Sequence, residues 1–211
     1  MIKCLIFDCD GTLVDSEQLF NRALSEKLAP LGVCISAEVL VERFRGVKLT
    51  NILEVLEAEH SISLDEGFVN AYRQLVERIF SEELTACDGV IETLSQIDLA
   101  MCVASNGPIN KMKLSLSVCG LASFFGDKLF SAYQVNSWKP EPDLFLHTAN
   151  EMGFKPHECL VVEDSRVGIE AAESAGMRSV LYDPNDVHGE VAHDKKIKYF
   201  PEVLNYKFGR F

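Results

Sequence analysis

Short, nearly continuous apolar runs alternate along the chain with longer segments whose apolar residues recur at helical spacing. Continuous apolar runs are typical of parallel strands that are covered on both faces. Alternation of such strands with helices predicts a doubly wound α/β fold around a parallel sheet. The predicted strands are Ile2–Phe7, Ala100–Ala104, Lys128–Ser131, Cys159–Val162, Ser179–Tyr182 and, with a weaker pattern, Ile197–Phe200.

One long segment contains no predicted strand. Residues 16–83 carry helical patterns instead, punctuated by Pro30, Gly32 and Gly46. A helical block inserted after the first strand predicts a separate helical cap domain at 16–83. Residues 1–15 and 84–211 then form a Rossmann-like α/β core. The predicted helices of the block are Ser16–Leu31, Ala37–Phe44, Leu49–His60 and Leu64–Glu82, and those late in the core are Pro142–Met152 and a helix capped by Ser165 that runs to Ala175.

The acidic composition narrows the classes of function. The 211 residues include 20 Lys and Arg against 32 Asp and Glu, a formal net charge of −12. We therefore expect neither a nucleic-acid clamp nor a binder of anionic membranes, because both need a basic face. No apolar run approaches the roughly 20 residues of a membrane span. The seven cysteines lie mostly in apolar runs, which indicates a reducing cytoplasm.

Polar residues follow the predicted strands at the edge where open parallel sheets bind ligands. They include carboxylates after the first and fourth strands, a hydroxyl and an amide after the second, and a lysine ahead of the fourth. Together they predict a hard-cation site beside an anion site. A net negative protein can still take an anionic substrate there, because local cations and a metal ion override the mean field. The residues are Asp8, Asp10, Ser105, Asn106, Lys139, Glu163 and Asp164.

The acidic members of this set suit Mg²⁺. The ion prefers about six oxygen ligands, usually one or two carboxylates completed by waters and phosphate oxygens. If the chain turns at Gly11, Asp8 points at the centre and Asp10 offers its backbone carbonyl while its carboxylate stays available. Asp164 would complete the protein ligands, and Glu163 would bind the metal directly or through a water.

The order of these motifs resembles that of the haloacid dehalogenase-like phosphatases, over essentially the whole chain. Asp8–Thr12 resembles the first motif of the family, Ser105–Gly107 the second, Lys139–Pro140 the third and Glu163–Ser165 the fourth. The helical block resembles the family's helical cap. The resemblance places the chain in the phosphoglycolate phosphatase and β-phosphoglucomutase-like group. Shorter stretches of its sequence are similar to the bacterial 6-phosphogluconate phosphatase branch.

The resemblance also implies roles for individual residues. Asp8 would be the nucleophile that forms an aspartyl-phosphate, and Asp10 would act as general acid and then as general base. Ser105, Asn106 and Lys139 would bind the phosphoryl oxygens of the substrate. Hydrolysis of a small phosphomonoester, such as a sugar or sugar-acid phosphate, is the expected activity, with a cytoplasmic monomer as the expected form.

A basic cluster around Gly46 has two interpretations. It is either a solvated helix end or a loop that binds the second anionic part of a sugar-acid phosphate. Arg45 and Lys48 are the stronger candidates for the second role. Lys111, after the second motif, is a weaker candidate, with solvent exposure as its alternative.

Three other functions compete with phosphatase activity. A phosphosugar mutase of the β-phosphoglucomutase type has a cap histidine at the position of Phe20, and this departure favours water as the phosphoryl acceptor. The dehalogenases of the family lack the second aspartate of the first motif, whereas Asp10 is present here. A receiver-like module phosphorylated on Asp8 would have no helical lid.

Overall fold

A six-stranded parallel sheet organises the computed structural model, which describes residues 1–44, 47–188 and 195–206. The strand order is β3-β2-β1-β4-β5-β6, and every neighbouring pair is parallel. This arrangement confirms the predicted doubly wound α/β class. The strands are β1 (Cys4–Phe7), β2 (Ala100–Ser105), β3 (Leu129–Ser131), β4 (Cys159–Glu163), β5 (Arg178–Tyr182) and β6 (Lys195–Ile197).

The sixth strand lies earlier than its apolar pattern predicts. It ends at Ile197, and Phe200 begins a 3₁₀ helix, Phe200–Asn205. Pro201 lies in the first turn of this 3₁₀ helix, where its missing N–H costs no hydrogen bond. The Phe200 ring stacks on Phe7 instead, with 6.1 Å between the ring centroids. Its apolar character therefore reports packing against the sheet and not strand pairing.

The chain divides into two compact units, Met1–Val14 with Thr85–Phe211, and Asp15–Leu84. Within the described residues of the second unit, the regular elements are all helices joined by short loops. Its last helix begins later than Leu64, because Asp65 is the N-cap and its carboxylate accepts a hydrogen bond from the N–H of Phe68. The helices are α1 (Glu17–Leu28, followed by a 3₁₀ turn at Ala29–Leu31), α2 (Ala37–Phe44), α3 (Leu49–His60) and α4 (Glu66–Glu83).

The helices of the sheet unit cover its parallel strands. Leu144, Phe145 and Ala149 of one helix and Ala171 and Ala172 of another are buried in one cluster with residues of the central strands. None of the described helices is both long and apolar enough to cross a membrane. The helices are α5 (Val90–Leu94), α6 (Ile109–Val118), α7 (Ala122–Phe125), α8 (Ala132–Val135), α9 (Asp143–Glu151) and α10 (Arg166–Ser174).

The strand order places the carboxyl ends of β1 and β4 side by side. The chain moves outward from β1 to β2 and β3, then returns to the other side of β1 with β4. A reversal of this kind leaves a crevice at the carboxyl edge of the sheet, where ligands of open α/β sheets bind. Asp8 directly follows β1 and Asp164 directly follows β4, so both lie at this reversal.

Candidate active site

The chain turns sharply after β1 and leaves Asp8 at the strand end. The N–H of Asp8 still donates to the carbonyl of Val162, at 3.0 Å, which continues the pairing with β4. Gly11 then adopts a φ of +79°, a conformation that L side chains rarely take. A Cβ at this position would also overlap the carboxylate of Asp164. Glycine is therefore required here both by the turn and by the approach of Asp164.

A buried lysine joins the carboxylates of two strand ends. The ammonium group of Lys139 lies 2.5 Å from Oδ1 of Asp8 and 2.8 Å from Oε1 of Glu163, and it also donates to the carbonyl of Ala104. Its side chain is 2% exposed. Burial by itself lowers the pKa of Lys139, but the two carboxylates outweigh burial and raise it above its ordinary value. The lysine is thus a fixed positive charge at the crevice.

Asp8 occupies an unusual electrostatic position. Burial raises the pKa of Asp8 to about 7 against the opposing effect of Lys139, with help from the nearby charges of Glu163 and Asp10. A further positive charge in the crevice would favour the ionised carboxylate. A divalent cation bound beside Asp8 is one source of that charge.

Glu163 is held at both of its carboxylate oxygens. Oε1 accepts from Lys139, while Oε2 accepts from the backbone N–H and the hydroxyl of Ser165, at 2.7 and 2.8 Å. Ser165 also caps α10, because its Oγ accepts from the N–H of Gly168. Ser165, which caps α10, and Lys139 therefore both bind the carboxylate of Glu163. These contacts fix the start of α10 relative to the crevice.

Asp164 is oriented by the loop that follows β1. The hydroxyl of Thr12, which is fully buried, donates to Oδ1 of Asp164 at 2.9 Å. One carboxylate oxygen from each of Asp8, Glu163 and Asp164 falls within 4.8 Å of the others, so the three form a group able to hold a metal ion. Clustered carboxylate oxygens suit a hard cation such as Mg²⁺, and Gly11 leaves the room that the Asp164 carboxylate needs to join the cluster.

The loop after β2 is fastened on both sides. Oγ of Ser105 accepts from the N–H of Gly107 at 3.0 Å, and Oδ1 of Asn106 accepts from the N–H of Lys139 at 3.0 Å. The hydroxyl of Ser131, at the end of β3, donates to the carbonyl of Gly107 at 2.7 Å. Asn106 thereby links the segment that carries Lys139 to this loop, and its side-chain amide nitrogen is its remaining donor group.

Asp10 forms an ion pair with Lys111. The ammonium group of Lys111 lies 2.6 Å from Oδ2 of Asp10, and the two side chains are 19% and 27% exposed. The interpretation of Lys111 as a solvent-facing residue is therefore wrong. Its side chain turns inward from the first turn of α6 to the loop after β1.

The contacts of the crevice do not test the two basic residues of the helical block that are predicted to bind substrate. Lys48 is the N-cap of α3, with extended backbone, and is exposed. Arg45 lies outside the described residues. The substrate-binding roles of both stay predictions.

Three residues that shape the crevice have no individual role in the sequence-based prediction. They are Thr12, which orients Asp164, Ser131, which fastens the loop after β2, and Gly168, where a Cβ would collide with the carboxyl group of Glu163. Thr12 and Ser131 had a detectable signal, since each is a polar residue at the carboxyl end of a predicted strand or in the loop directly after it. Gly168 belongs to the segment that resembles the fourth family motif, but its close approach to Glu163 depends on the rotamer of Glu163 and has no signal in the sequence.

The whole chain resembles proteins of known family. The haloacid dehalogenase-like hydrolase family matches residues 2–176. The 6-phosphogluconate phosphatase of Escherichia coli K12 is 38% identical over 208 residues, which cover 96% of this chain and 94% of that protein. The phosphorylated carbohydrates phosphatase of Thermotoga maritima is 30% identical over 186 residues, which cover 85% of this chain and 84% of that protein.

A solved structure agrees with the sequence comparison. The crystal structure of a conserved haloacid dehalogenase-like protein of unknown function from Agrobacterium tumefaciens superposes with a TM-score of 0.84 at 31% identity, and covers 97% of each chain. The strand order, the carboxylates at the ends of β1 and β4, and the buried lysine between them fit the same assignment. The chain belongs to the family of haloacid dehalogenase-like hydrolases.

Proposed function

We propose that the chain, a phosphatase of this family, hydrolyses a small phosphomonoester of a sugar or sugar acid through an aspartyl-phosphate on Asp8. The observation that carries the proposal is the position of Asp8, a buried carboxylate held by Lys139 at the reversal of strand order. The hydrogen bond from Lys139 and the burial of Asp8 hold its carboxylate at the crevice. Relatives that are phosphatases of 6-phosphogluconate and of phosphorylated carbohydrates support the substrate class.

In the first step, a carboxylate oxygen of Asp8 attacks the phosphorus atom of the ester. The bond from phosphorus to the ester oxygen breaks as the bond to Asp8 forms. Asp10, two residues further on, gives its proton to the departing oxygen, which leaves as an alcohol. The step ends with a phosphorylated Asp8 and an ionised Asp10.

In the second step, a water molecule attacks the phosphorus atom of the aspartyl-phosphate. Asp10 accepts a proton from this water, and the bond between phosphorus and Asp8 breaks. Inorganic phosphate leaves, and the carboxylate of Asp8 and the protonated form of Asp10 are restored. Every atom of the ester and of the water is then in the alcohol or in the phosphate.

The phosphoryl oxygens need positive charge and donors, because two anions must meet. Lys139 supplies the buried charge, while the hydroxyl of Ser105 and the amide of Asn106 supply donors. Helix α6 begins just beyond these residues in the sequence. Its first backbone N–H groups and the positive end of its dipole favour the binding of an anion. Lys139 would thus neutralise the substrate as well as hold Asp8.

We propose that Mg²⁺ is held by Asp8, Asp164 and the backbone carbonyl of Asp10. Glu163 would contact the ion directly or through a water molecule. We give it this lesser role because both of its carboxylate oxygens already accept hydrogen bonds. When bound, Mg²⁺ would neutralise charge on the phosphoryl group and orient it for in-line attack. Thr12 would keep the Asp164 carboxylate turned toward the ion.

We propose that residues of the helical block, and not those around Asp8, select the substrate. Among candidate esters we favour 6-phosphogluconate, with Arg45 and Lys48 as the residues that would bind its carboxylate. We also propose a cytoplasmic monomer; the seven cysteine side chains are free thiols, which a reducing compartment would preserve. Sedimentation of the purified protein tests the monomer.

Phosphate release from a panel of small phosphoesters tests the function. With Mg²⁺ present, we expect turnover of sugar and sugar-acid phosphates, with loss of activity in EDTA and its return on adding Mg²⁺. Asp8→Asn should abolish turnover while the far-ultraviolet circular dichroism stays unchanged. Full activity in Asp8→Asn would contradict the assignment of the nucleophile. Equal turnover of 6-phosphogluconate and glycerol phosphate would contradict the proposed substrate but leave the reaction class standing.

The same panel separates hydrolysis from the mutase alternative. Phe20 packs edge-on against Phe80 within the helical unit, with ring centroids 5.0 Å apart, and its ring carries no group that transfers protons. We therefore expect phosphate as the product and not an isomerised sugar phosphate. Conversion of a sugar 1-phosphate to its 6-phosphate without release of phosphate would favour the mutase.

A further inference from the structure

Lys111 occupies an electrostatically unfavourable position in its helix. It lies in the first turn of α6, a ten-residue helix that begins at Ile109, and a cation there opposes the helix dipole. Its stem passes close to Gly107, so that a Cβ added to Gly107 would lie 3.6 Å from Cδ of Lys111 and 3.8 Å from Oδ2 of Asp10. The side chain therefore crosses the loop after β2 to reach Asp10.

The contact with Asp10 is close and partly sheltered from water. The ammonium group lies 2.6 Å from Oδ2 of Asp10, and the Lys111 side chain is 19% exposed. Ser105, whose Oγ would lie 3.4 Å from the same added Cβ at Gly107, borders the pair. Because Lys111 donates to Oδ2, the proton that Asp10 transfers in the first step is carried on Oδ1, and the bond to Lys111 fixes the rotation of the carboxyl group about its bond to Cβ.

We propose that Lys111 is a positioning residue, which holds the carboxyl group of Asp10 in the orientation that proton transfer to the departing ester oxygen needs. The inference rests on the proposed function, because it gives Asp10 its task. Proton transfer requires heavy atoms within hydrogen-bond reach, and a displaced acid loses efficiency steeply with distance. Lys111 acts through Asp10 and needs no contact with the substrate.

The dependence of the rate on the leaving group distinguishes this role from others. Phenolate is a strong base and leaves poorly without a proton, whereas 4-nitrophenolate leaves readily without one. Phenyl phosphate and 4-nitrophenyl phosphate have nearly the same shape and present no sugar hydroxyls, so a substrate-binding lysine would affect both alike. The quantity to compare is kcat/KM, which reports all steps up to departure of the leaving group.

Replacing the lysine should therefore affect one ester selectively. We expect Lys111→Met to lower kcat/KM for phenyl phosphate by about 10- to 100-fold and that for 4-nitrophenyl phosphate by less than about 3-fold. Lys111→Gln should behave in the same way, and Lys111→Arg should retain most of the activity on both esters. Lys113→Met is the matched control on the same helix. Lys113 is exposed, and its ion pair with the fully exposed Asp127 is long, at 3.8 Å.

A second comparison tests whether Lys111 acts through Asp10. In an Asp10→Asn background, Lys111→Met should cause no further loss on either ester, because the group that it positions is gone. An additive loss in the double variant, an equal loss on both esters in the single variant, or no loss at all would each overturn the inference.

The proposed function has its own control in the same experiment. Asp8→Asn should abolish turnover of both esters regardless of leaving group. Residual turnover in that variant, or a wild type inactive on both esters, would overturn the proposed function and this inference with it. An active wild type with an inactive Asp8→Asn variant, but without selectivity in Lys111→Met, would overturn only the inference.

Discussion

The carboxyl group of Glu163 occupies the space that a side chain at position 168 would need. A Cβ built on Gly168 would collide with the carboxyl carbon and Oε1 of Glu163. Glu163 in turn holds Lys139, so the absence of a side chain at Gly168 is a condition for the arrangement at Asp8. The first turn of α10 thus contributes to the crevice through the space that it leaves open.

Gly168→Ala should accordingly lower activity by about 10- to 100-fold, because Glu163 must shift and Lys139 loses a partner. The crowding should also lower the free energy of unfolding by about 1–3 kcal/mol. Gly67→Ala is the control, since Gly67 lies in the first turn of α4 and the atoms nearest to its added Cβ belong to the exposed Asp65 side chain, with Oδ1 at 3.1 Å. Kinetics and urea denaturation of both variants measure the difference. Unchanged kinetics in Gly168→Ala would show that Glu163 can move without consequence.

Lys139→Met should abolish turnover and destabilise the fold. The variant keeps the length of the side chain but leaves Asp8 and Glu163 buried without their shared cation, at a cost of about 3 kcal/mol in the free energy of unfolding. Urea denaturation in EDTA measures this loss without interference from bound metal. Lys3→Met is the control, because its ion pair with Glu158 is equally short but the lysine side chain is 53% exposed. If both variants denature at the same urea concentration, the buried ion pair has no structural weight.

Much of this crevice was predictable from the sequence because its residues follow apolar strands. Asp8, Glu163 and Asp164 were located by that rule alone, since the carboxyl ends of parallel strands meet at one edge. The helices were predicted by apolar periodicity, and α2 and α3 have the predicted bounds. Elements of four or five residues, such as α7, contain too few turns for the periodicity to be visible.

The contacts between distant segments were not predictable. The pairing of Lys111 with Asp10 joins residues 101 positions apart, and it depends on the rotamer of a flexible side chain. The hydroxyl of Thr12 reaches Asp164 across 152 positions. No local pattern encodes such distances, because sequence periodicity reports which face of an element is buried and not which side chain it meets.

Thr12→Val should weaken metal binding while leaving the fold intact. Valine keeps the volume of the buried side chain but cannot donate to Oδ1 of Asp164, so the carboxylate loses its orientation. Loss of such a supporting hydrogen bond typically weakens metal affinity by about 10- to 100-fold. The Mg²⁺ concentration for half-maximal activity, and the rise in melting temperature with Mg²⁺, measure the change. Thr148→Val is the control, since that buried hydroxyl donates to Leu144 within α9. An unchanged Mg²⁺ dependence would remove Thr12 from the metal site.

Asp183 should make stability depend on pH in the acid range. Burial alone would raise its pKa, but hydrogen bonds from Lys196 and from the N–H groups of Val187 and His188 outweigh burial and hold the pKa below its ordinary value. A lowered pKa in the folded state means that the stabilisation is complete above the ordinary carboxyl range and disappears as the pH falls through the lowered value.

Asp183→Asn imitates the protonated carboxyl group and so tests this dependence. At pH 7 we expect the variant to be less stable than the wild type by about 2 kcal/mol, since a buried charged acceptor is lost. The difference should shrink as the pH falls below about 4, where the unfolded wild type takes up its proton. Asp127→Asn, at a fully exposed position, should match the wild type at every pH. Denaturant titrations between pH 3 and pH 7 measure both variants, and a difference that stays constant with pH would contradict the role of the Asp183 charge.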